Sequence, residues 1–227
     1  MNETLVLAII LIPCLVIAIV FHEVAHGWVA NMLGDPTAKD LKRLSLNPLR
    51  HVDPVGTVIL PGILALTGAP VFGWAKPVPV NFRRLNNPRR DMMVVAAAGP
   101  GTNLVLALIG AVLVGLLLPE DAQVGEPLSI LGNALFAFMW INLFLALFNL
   151  IPLPPFDGSH IVEGLLPDDA ARAYARLRPY GLPLLFFLLL IVPWLFPGLG
   201  IVERFVLPPV EWTMEHILMV ARAIAGA

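Results

Sequence analysis

The stretch LVLAIILIPCLVIAIVFHEVAHGWVANMLGD, residues 5–35, decides how this chain folds. Its first half is almost entirely apolar and leads directly into three ionisable residues, His22, Glu23 and His26. Gly34, which precedes an Asp-Pro pair, is a typical helix stop. The pattern predicts one long helix that crosses most of a bilayer core of about 30 Å. Ionisable residues inside such a helix are energetically costly, which makes them candidates for a functional site.

The composition of the whole chain is that of a membrane protein. Of its 227 residues, 58% are hydrophobic and 13% are charged, whereas soluble domains contain about 25% charged residues. The net charge of −2 gives no indication of nucleic-acid binding, and a single cysteine, Cys14, excludes a disulfide framework. We predict one membrane domain over residues 1–227, with a core at about 5–165 and C-terminal helices at 181–227.

Further apolar stretches predict the remaining membrane helices. They occupy residues 92–118, which a Gly-Pro-Gly sequence interrupts, then 128–151 and 182–196. Residues 210–224 place apolar side chains on one side of a helix and Glu and Arg on the other, which predicts an amphipathic helix at the membrane interface. The predicted fold class is an all-α polytopic membrane protein with about four transmembrane helices.

Two shorter segments fit neither a spanning helix nor an ordinary loop. Residues 54–69 are apolar, but the segment is short and contains Pro61 and Gly62, so we expect it to re-enter the membrane rather than cross it. Residues 75–81, AKPVPVN, alternate in hydrophobicity and include β-branched residues, which predicts an extended strand in a small β-hairpin. Its prolines restrict that strand to the edge of a sheet.

The distribution of basic residues orients the predicted helices. If residues 54–69 re-enter, residues 34–90 carry nine Lys and Arg on one side of the membrane, and residues 156–180 add three on the same side. The loop at 119–127 on the opposite side has none. The positive-inside rule then places the N-terminus outside and the basic loops in the cytoplasm.

The ionisable residues of the first helix have the spacing of a zinc site. His22 and His26 lie four positions apart, so both side chains point from one face of a helix and can bind one Zn²⁺, with Glu23 as a general base toward water. The alternative is a set of polar residues at a helix end that reach the membrane interface. Catalytic zinc needs a third protein ligand, for which the candidates are His51, Asp53, Asp157, His160, His216 and surface carboxylates.

The predicted topology favours one of these candidates as the third ligand. The first helix runs from outside to inside, which places His22 and His26 in its cytoplasmic half. The helix at 128–151 runs in the same direction and ends shortly before Asp157. Because the two helix ends meet on the same side of the membrane, we predict Asp157 as the third ligand, whereas His216 lies on the opposite side.

Two motifs together carry a resemblance to a known family. FHEVAHGWVA, residues 21–30, and NLIPLPPFDGSHI, residues 149–161, resemble the site-2 proteases, the intramembrane zinc metalloproteases of peptidase family M50. That family pairs HExxH on one transmembrane helix with NxxPxPxxDG at the end of a later one. The segments NPLRHVDPVGT, GWAKPVPVN and AAAGPGTN are similar to the compact bacterial and archaeal members, which have no PDZ or CBS domain. The fixed positions of the second motif occur here as Asn149, Pro152, Pro154, Asp157 and Gly158.

The resemblance implies an activity, a cofactor and a location. His22, His26 and Asp157 would hold one Zn²⁺ per chain, and Glu23 would activate water. The substrate would be a transmembrane segment of another protein in the lipid bilayer of a prokaryotic cell membrane, cut toward the cytoplasmic side. The oligomeric state is left open.

The resemblance also implies roles for residues that surround this set. In the family an edge strand pairs with the unwound substrate helix, and residues 75–81 are similar to it, although a proline-stiffened loop is the alternative. The strand residues concerned are Lys76, Pro77, Val78, Pro79 and Val80. The resemblance also makes Asn149 a contact for substrate or for a metal ligand, with simple helix–helix bonding as the alternative. Apart from the resemblance, Asn103 either lines the site or bonds the interrupted helix. His51 and His160 are candidates for supporting the ligands, His51 also for gating a water channel, and a plain loop role is the alternative for both.

Two other functions use the same residues. A metal transporter or metal sensor would need the ligands, but no second metal station along a path is evident in the sequence. A pseudoprotease would bind transmembrane helices without cutting them, but a purely structural zinc site has no need of Glu23. The combination of two histidines, an aspartate and a glutamate therefore favours a zinc endopeptidase.

Overall fold

The computed structural model describes residues 3–67, 73–118, 130–196, 199–200 and 202–226, and all regular structure in them is helical. The α-helices are α1 (Glu3–Met32), α2 (Thr37–Asp40), α3 (Leu60–Thr67), α4 (Pro88–Leu117), α5 (Ile130–Asn149), α6 (Asp157–Leu165), α7 (Asp168–Ala175), α8 (Gly181–Phe186), α9 (Val192–Leu195) and α10 (Leu207–Ala225). π-Helical turns lie at Pro54–Ile59, Phe187–Ile191 and Val202–Val206, and 3₁₀ turns lie at Pro48–Arg50, Phe82–Arg84 and Arg178–Tyr180.

Four helical stretches are long and apolar enough to cross a membrane. They are Leu7–Met32 in α1, Pro88–Leu117 in α4, Ile130–Asn149 in α5 and Asp168–Leu195, which joins α7 to α9. The prediction of about four transmembrane helices is therefore confirmed by length and composition. The expected interruption of the second span is not found, because α4 continues through Pro100 as one helix.

Helices α1, α4 and α5 pack against one another through small residues. Ala107 and Ala111 of α4 are fully buried, and a Cβ added to Gly110 would lie only 2.6 Å from Cγ of Met139 on α5. Small residues of this kind let the backbones of membrane helices approach closely. This three-helix bundle carries the candidate site described below.

The amphipathic face of α10 contacts protein, and its predicted place at the membrane interface stays a prediction. Val210 packs with Ala107 of α4 and Leu143 of α5. Farther along the helix, Ala221 packs beside α4, where a Cβ added to Gly115 would lie 2.5 Å from its carbonyl oxygen. An apolar helix face can cover either lipid or another helix, so its periodicity alone did not distinguish the two.

The segment predicted to re-enter the membrane forms two short consecutive helices. A π-helical turn at Pro54–Ile59 continues into α3, and residues 68–69 lie outside the described residues. Asp53 caps this segment, because its Oδ1 accepts from the main-chain N–H of Val55 at 3.0 Å and of Gly56 at 2.7 Å. The re-entrant path itself stays a prediction.

The predicted edge strand and β-hairpin are not confirmed, because the described residues contain no strand. The N–H groups of the 73–81 segment bond to groups outside any sheet, which include the carbonyl of His51 and the carboxylate of Asp35. Pro77 and Pro79 have no N–H to offer. The segment is therefore irregular and is held by hydrogen bonds to carbonyl and carboxylate groups, and it does not pair as a strand.

Candidate metal centre

The histidines of α1 and the first residue of α6 converge in the bundle. Nε2 of His22 lies 3.1 Å from Oδ2 of Asp157, and Nε2 of His26 lies 3.3 Å from the same oxygen. Among the described residues this is the only group of three or more His, Cys, Asp or Glu side chains whose ligand atoms, here within 4.8 Å of one another, could hold a metal ion. His22 is 7% and His26 is 9% exposed.

The loop after α5 places Asp157 in the cluster, and its main chain passes close to the residue that follows Asp157. α5 ends at Asn149, and the chain turns through residues 150–156 before α6 begins at Asp157. A Cβ added to Gly158 would lie 2.3 Å from the carbonyl oxygen of Leu150, so only glycine fits directly after the aspartate. This close contact explains why the second motif has a glycine directly after the aspartate.

Helix α4 closes the candidate site from a third side. A Cβ added to Gly99 would lie 2.4 Å from Nε2 of His26 and 2.6 Å from Nε2 of His22. Any side chain at this position would therefore displace the histidines. The sequence analysis described the Gly-Pro-Gly segment as a helix interruption and as part of the family resemblance, and the structure adds that Gly99 leaves room for the two rings.

Main-chain and amide groups determine which ring nitrogens carry hydrogen. Nδ1 of His26 lies 2.7 Å from the carbonyl oxygen of Val95, which can only accept, so this Nδ1 is the donor. Nδ1 of His22 lies 2.5 Å from Oδ1 of Asn103 on α4. Asn103 is fully buried, and its contact with His22 assigns it to the lining of the site.

The orientation of the Asn103 amide is fixed by acceptors on the other two helices. Its Nδ2 donates to the carbonyl of Ala18 on α1 at 3.2 Å and to Oδ1 of Asn142 on α5 at 2.8 Å. Oδ1 of Asn103 therefore faces His22, whose Nδ1 must donate. The sequence analysis missed Asn142, although an amide within an apolar helix is itself a signal of a polar contact inside the membrane.

The hydrogen bonds at Nδ1 leave three acceptors that face one another. In neutral His22 and His26 each Nε2 is then a bare lone pair, and both point at Oδ2 of Asp157. This oxygen is buried and has no hydrogen-bond partner. A cation between the three atoms would remove their mutual repulsion, and two imidazole nitrogens with one carboxylate oxygen are a donor set that suits zinc.

Glu23 lies beside the cluster on α1 and is held by the 73–81 segment. Its Oε2 accepts from the main-chain N–H of Val78 at 2.7 Å. The side chain of Val78 is buried next to Gly27, where an added Cβ would lie 2.6 Å from its Cγ1. Glycine at this position of α1 therefore allows the segment to approach the glutamate.

The rest of the predicted strand is anchored nearby. The carbonyl oxygens of Lys76 and Pro77 accept from Nη2 of Arg43 at 2.9 and 3.3 Å. Pro79 and Val80 are half-buried. Only Val78 of the five predicted strand residues contacts a residue of the candidate site through a described hydrogen bond.

The remaining predicted residues make their described contacts outside the cluster. Asn149 bonds within its own helix, from Nδ2 to the carbonyl of Leu145 at 2.9 Å. His51 is buried in the loop, where its Nε2 bonds to the carbonyl of Ser45 at 2.8 Å. Burial, together with the charge of Arg178, lowers the pKa of His160. These three side chains make no described hydrogen bond to His22, His26 or Asp157.

Known proteins resemble this chain over most of its length. The model of peptidase family M50 matches residues 10–126 and 118–192. A Bacillus subtilis (strain 168) protein named "Putative zinc metalloprotease YwhC" is 41% identical over 187 residues, which are 81% of this chain and 80% of that protein. The similarly described Rip2 proteins of Mycolicibacterium smegmatis and Mycobacterium tuberculosis are each 30% identical, over 82% and 83% of this chain and 68% and 73% of their own lengths. No solved structure matches the chain.

Proposed function

The chain belongs to peptidase family M50, and from this premise we propose that it is a zinc endopeptidase that hydrolyses a peptide bond in or near a transmembrane segment of another membrane protein. The observation that carries the proposal is the convergence of both Nε2 atoms and Oδ2 of Asp157 in a helical bundle of membrane-spanning length. His22, His26 and Asp157 would hold one zinc ion. Zinc bound by these residues would supply Lewis acidity toward the scissile carbonyl and would lower the pKa of water toward neutrality.

Glu23 is the residue that we propose as the general base. It directly follows His22 on α1, so the same helix presents the base and two of the ligands. The bond from Val78 N–H fixes Oε2, which leaves Oε1 to take the proton from the attacking water. A carboxylate of fixed orientation loses less entropy when it acts than a mobile one.

The proposed location of the cut follows from the helices that carry the ligands. His22 and His26 belong to a stretch of α1 that is apolar enough to span a bilayer, and α4 and α5 surround it. We propose a multi-pass protein of a prokaryotic cell membrane, with the N-terminus outside and the zinc site toward the cytoplasm, as the charge distribution indicates. The substrate is then a membrane protein whose helix unwinds near the cytoplasmic side.

The 76–80 segment is the proposed contact for the substrate backbone. It passes directly beside Glu23, and its Val78 side chain fixes its distance from α1. An extended substrate bound along this segment would lie close to the proposed base and to the zinc ligands. The segment needs no sheet of its own for this role. Its prolines have no N–H, and the N–H groups of Lys76 and Val78 are already bonded, so its carbonyl oxygens would accept from N–H groups of the substrate.

The competing functions have less support in the structure. A transporter passes metal between successive sites, but within the described residues the cluster is the one group of three or more His, Cys, Asp or Glu side chains that could hold an ion. A pseudoprotease would leave Glu23 without a chemical role, yet the main-chain N–H of Val78 holds its carboxylate in a fixed orientation. Both observations favour hydrolysis.

The decisive experiment measures zinc content and cleavage separately. The purified full chain in detergent or nanodiscs is assayed for bound metal and for cutting of a model transmembrane peptide, next to Glu23→Gln. We expect about one zinc per chain in both proteins and cleavage only by the wild type. Cleavage that survives Glu23→Gln contradicts the role of Glu23 as general base. A zinc-loaded wild type that does not cut the transmembrane peptide contradicts the proposed protease activity.

A further inference from the structure

We propose that Asn142 of α5 is a positioning residue for the zinc site, which acts through Asn103 to hold His22 in the form that can bind metal. The inference rests on the proposed function, because it takes His22 as a ligand. Asn142 makes no described hydrogen bond to His22, His26 or Asp157. Asn142 belongs to neither the HExxH nor the NxxPxPxxDG motif.

The geometry connects Asn142 to His22 by two consecutive hydrogen bonds. Oδ1 of Asn142 accepts from Nδ2 of Asn103 at 2.8 Å, and Oδ1 of Asn103 lies 2.5 Å from Nδ1 of His22. Asn142 and Asn103 are both 0% exposed. The contacts run from α5 through α4 to α1, so one line of polar groups joins the three helices of the bundle.

The direction of this line is fixed at both ends by main-chain carbonyls. Nδ2 of Asn142 donates to the carbonyl of Phe138 at 2.8 Å, which forces its Oδ1 toward Asn103. The carbonyl of Ala18 accepts the other N–H of Asn103. Because a carbonyl cannot donate, every donor in the line points away from His22 toward α5 or the main chain. His22 then carries its hydrogen on Nδ1 and turns Nε2 toward Asp157.

The loss of Asn142 would remove one of the two acceptors that orient the Asn103 amide. A buried N–H of Asn103 would have no partner, and only the carbonyl of Ala18 would still oppose another rotamer or a flipped amide. A flipped amide presents its NH₂ group to Nδ1 of His22, which would move the ring hydrogen to Nε2, the atom that faces Asp157. Substitution of a residue that orients a ligand histidine typically lowers metal affinity by about 10- to 100-fold.

A purely structural role makes a different prediction. Amides in membrane helices also bond between helices for stability alone. In that case replacement of Asn142 would lower the unfolding temperature of the protein and leave zinc affinity unchanged. Zinc affinity and stability of the zinc-free protein must therefore be measured as separate quantities.

The test uses the full chain in detergent and four substitutions. Zinc affinity is measured by competition with a chelator, and the unfolding temperature is measured on the zinc-free protein. Asn142→Leu keeps the branched shape of the side chain but is larger and has no acceptor, and Asn142→Asp keeps the acceptor oxygen. Leu143→Ala is the matched control, because Leu143 is equally buried on α5 and packs with Ala107, Val206 and Val210 instead of the amides. His22→Ala tests the ligand assignment.

We expect Asn142→Leu to weaken zinc binding about tenfold, Asn142→Asp to stay within about threefold of the wild type, and Leu143→Ala to lower only the unfolding temperature. If Asn142→Leu does not fold, Asn142→Ala carries the same expectation. Wild-type zinc affinity in the Asn142 variant, together with loss of zinc in His22→Ala, overturns this inference alone. Wild-type affinity in His22→Ala overturns the proposed zinc site and this inference with it.

Discussion

Oε2 of Glu23 accepts a hydrogen bond from the main-chain N–H of Val78 at 2.7 Å, across 55 positions of sequence. The contact joins the proposed base on α1 to the segment that we propose for substrate binding. It is possible only because Gly27 leaves space for the Val78 side chain. The orientation of Glu23 therefore depends on how the 73–81 segment packs against α1, and substitutions at Val78 can test this.

Val78→Pro should reduce turnover by removing the donor to Glu23. Proline has no N–H and so cannot donate to the carboxylate. A hydrogen bond to a charged group contributes about 1.5–3 kcal/mol, so we expect kcat for a model transmembrane peptide to fall roughly tenfold or more. Zinc content should stay at the wild-type level, because the ligands are not altered.

Val78→Ala is the control for this substitution. It keeps the N–H and removes the side chain that packs beside Gly27. We expect a smaller fall in kcat than with proline. Equal losses in the two variants would show that Val78 acts by packing and that the hydrogen bond to Glu23 contributes nothing to turnover.

Gly99→Ala should abolish most activity by displacing the histidines. The added methyl group would lie 2.4 Å from Nε2 of His26, so the ring or α4 must move. A misplacement of about 1 Å can reduce the rate on the order of 100-fold. The measurement is cleavage together with zinc affinity, both of which we expect to fall.

Gly101→Ala is the matched control on the same helix. A Cβ added to Gly101 meets no atom within 4 Å, and alanine is a better helix former than glycine. We expect wild-type cleavage and unchanged or slightly higher thermal stability. If both alanine variants lose activity equally, the cause is the altered α4 backbone and not the contact between Gly99 and the rings.

The three proposed ligands could be predicted from the sequence because their chemistry is carried by side chains. The spacing of His22 and His26 follows from the helical period, and the topology predicted from the charge distribution placed Asp157 on the same side of the membrane as the histidines. The four apolar spans were predictable for a similar reason, since bilayer thickness imposes their length.

The features that sequence reasoning missed depend on main-chain groups or on tertiary packing. The N–H of Val78 and the carbonyl of Val95 have no signature in the residue type. Gly99 resembles a helix breaker until the distance to the histidines is known. The predicted strand at 75–81 would need a partner strand, and its prolines leave few donors for one. The apolar face of α10 would suit lipid and α4 equally well.

Asp35→Ala should destabilise the fold by releasing the far end of the 73–81 segment. Asp35 is fully buried, and its carboxylate accepts from the main-chain N–H of Asn81 at 2.5 Å and of Thr37 at 3.1 Å. Buried donors without partners cost about 1–3 kcal/mol each. We expect a lower unfolding temperature in detergent and reduced cleavage.

Asp40→Ala provides the comparison, because Asp40 pairs with Arg84 at 3.5 Å while both side chains are exposed. Exposed ion pairs contribute about 0–1 kcal/mol, so this variant should unfold close to the wild-type temperature. A destabilisation by Asp40→Ala as large as that by Asp35→Ala would contradict the anchoring role of Asp35.

Zinc should stabilise the folded chain, and Asp157 should be required for the full effect. A ligand that binds only the native state at about 100 times its Kd adds about 2.7 kcal/mol to the free energy of unfolding. In Asp157→Asn the charged oxygen that faces both Nε2 atoms is replaced by a neutral amide, so zinc at the same concentration should stabilise the variant less. Asp53→Asn is the control, because Asp53 caps the helix at Pro54–Ile59 and lies outside the cluster. Thermal unfolding with zinc and with a chelator measures the effect, and equal stabilisation of wild type and Asp157→Asn would exclude Asp157 as a ligand.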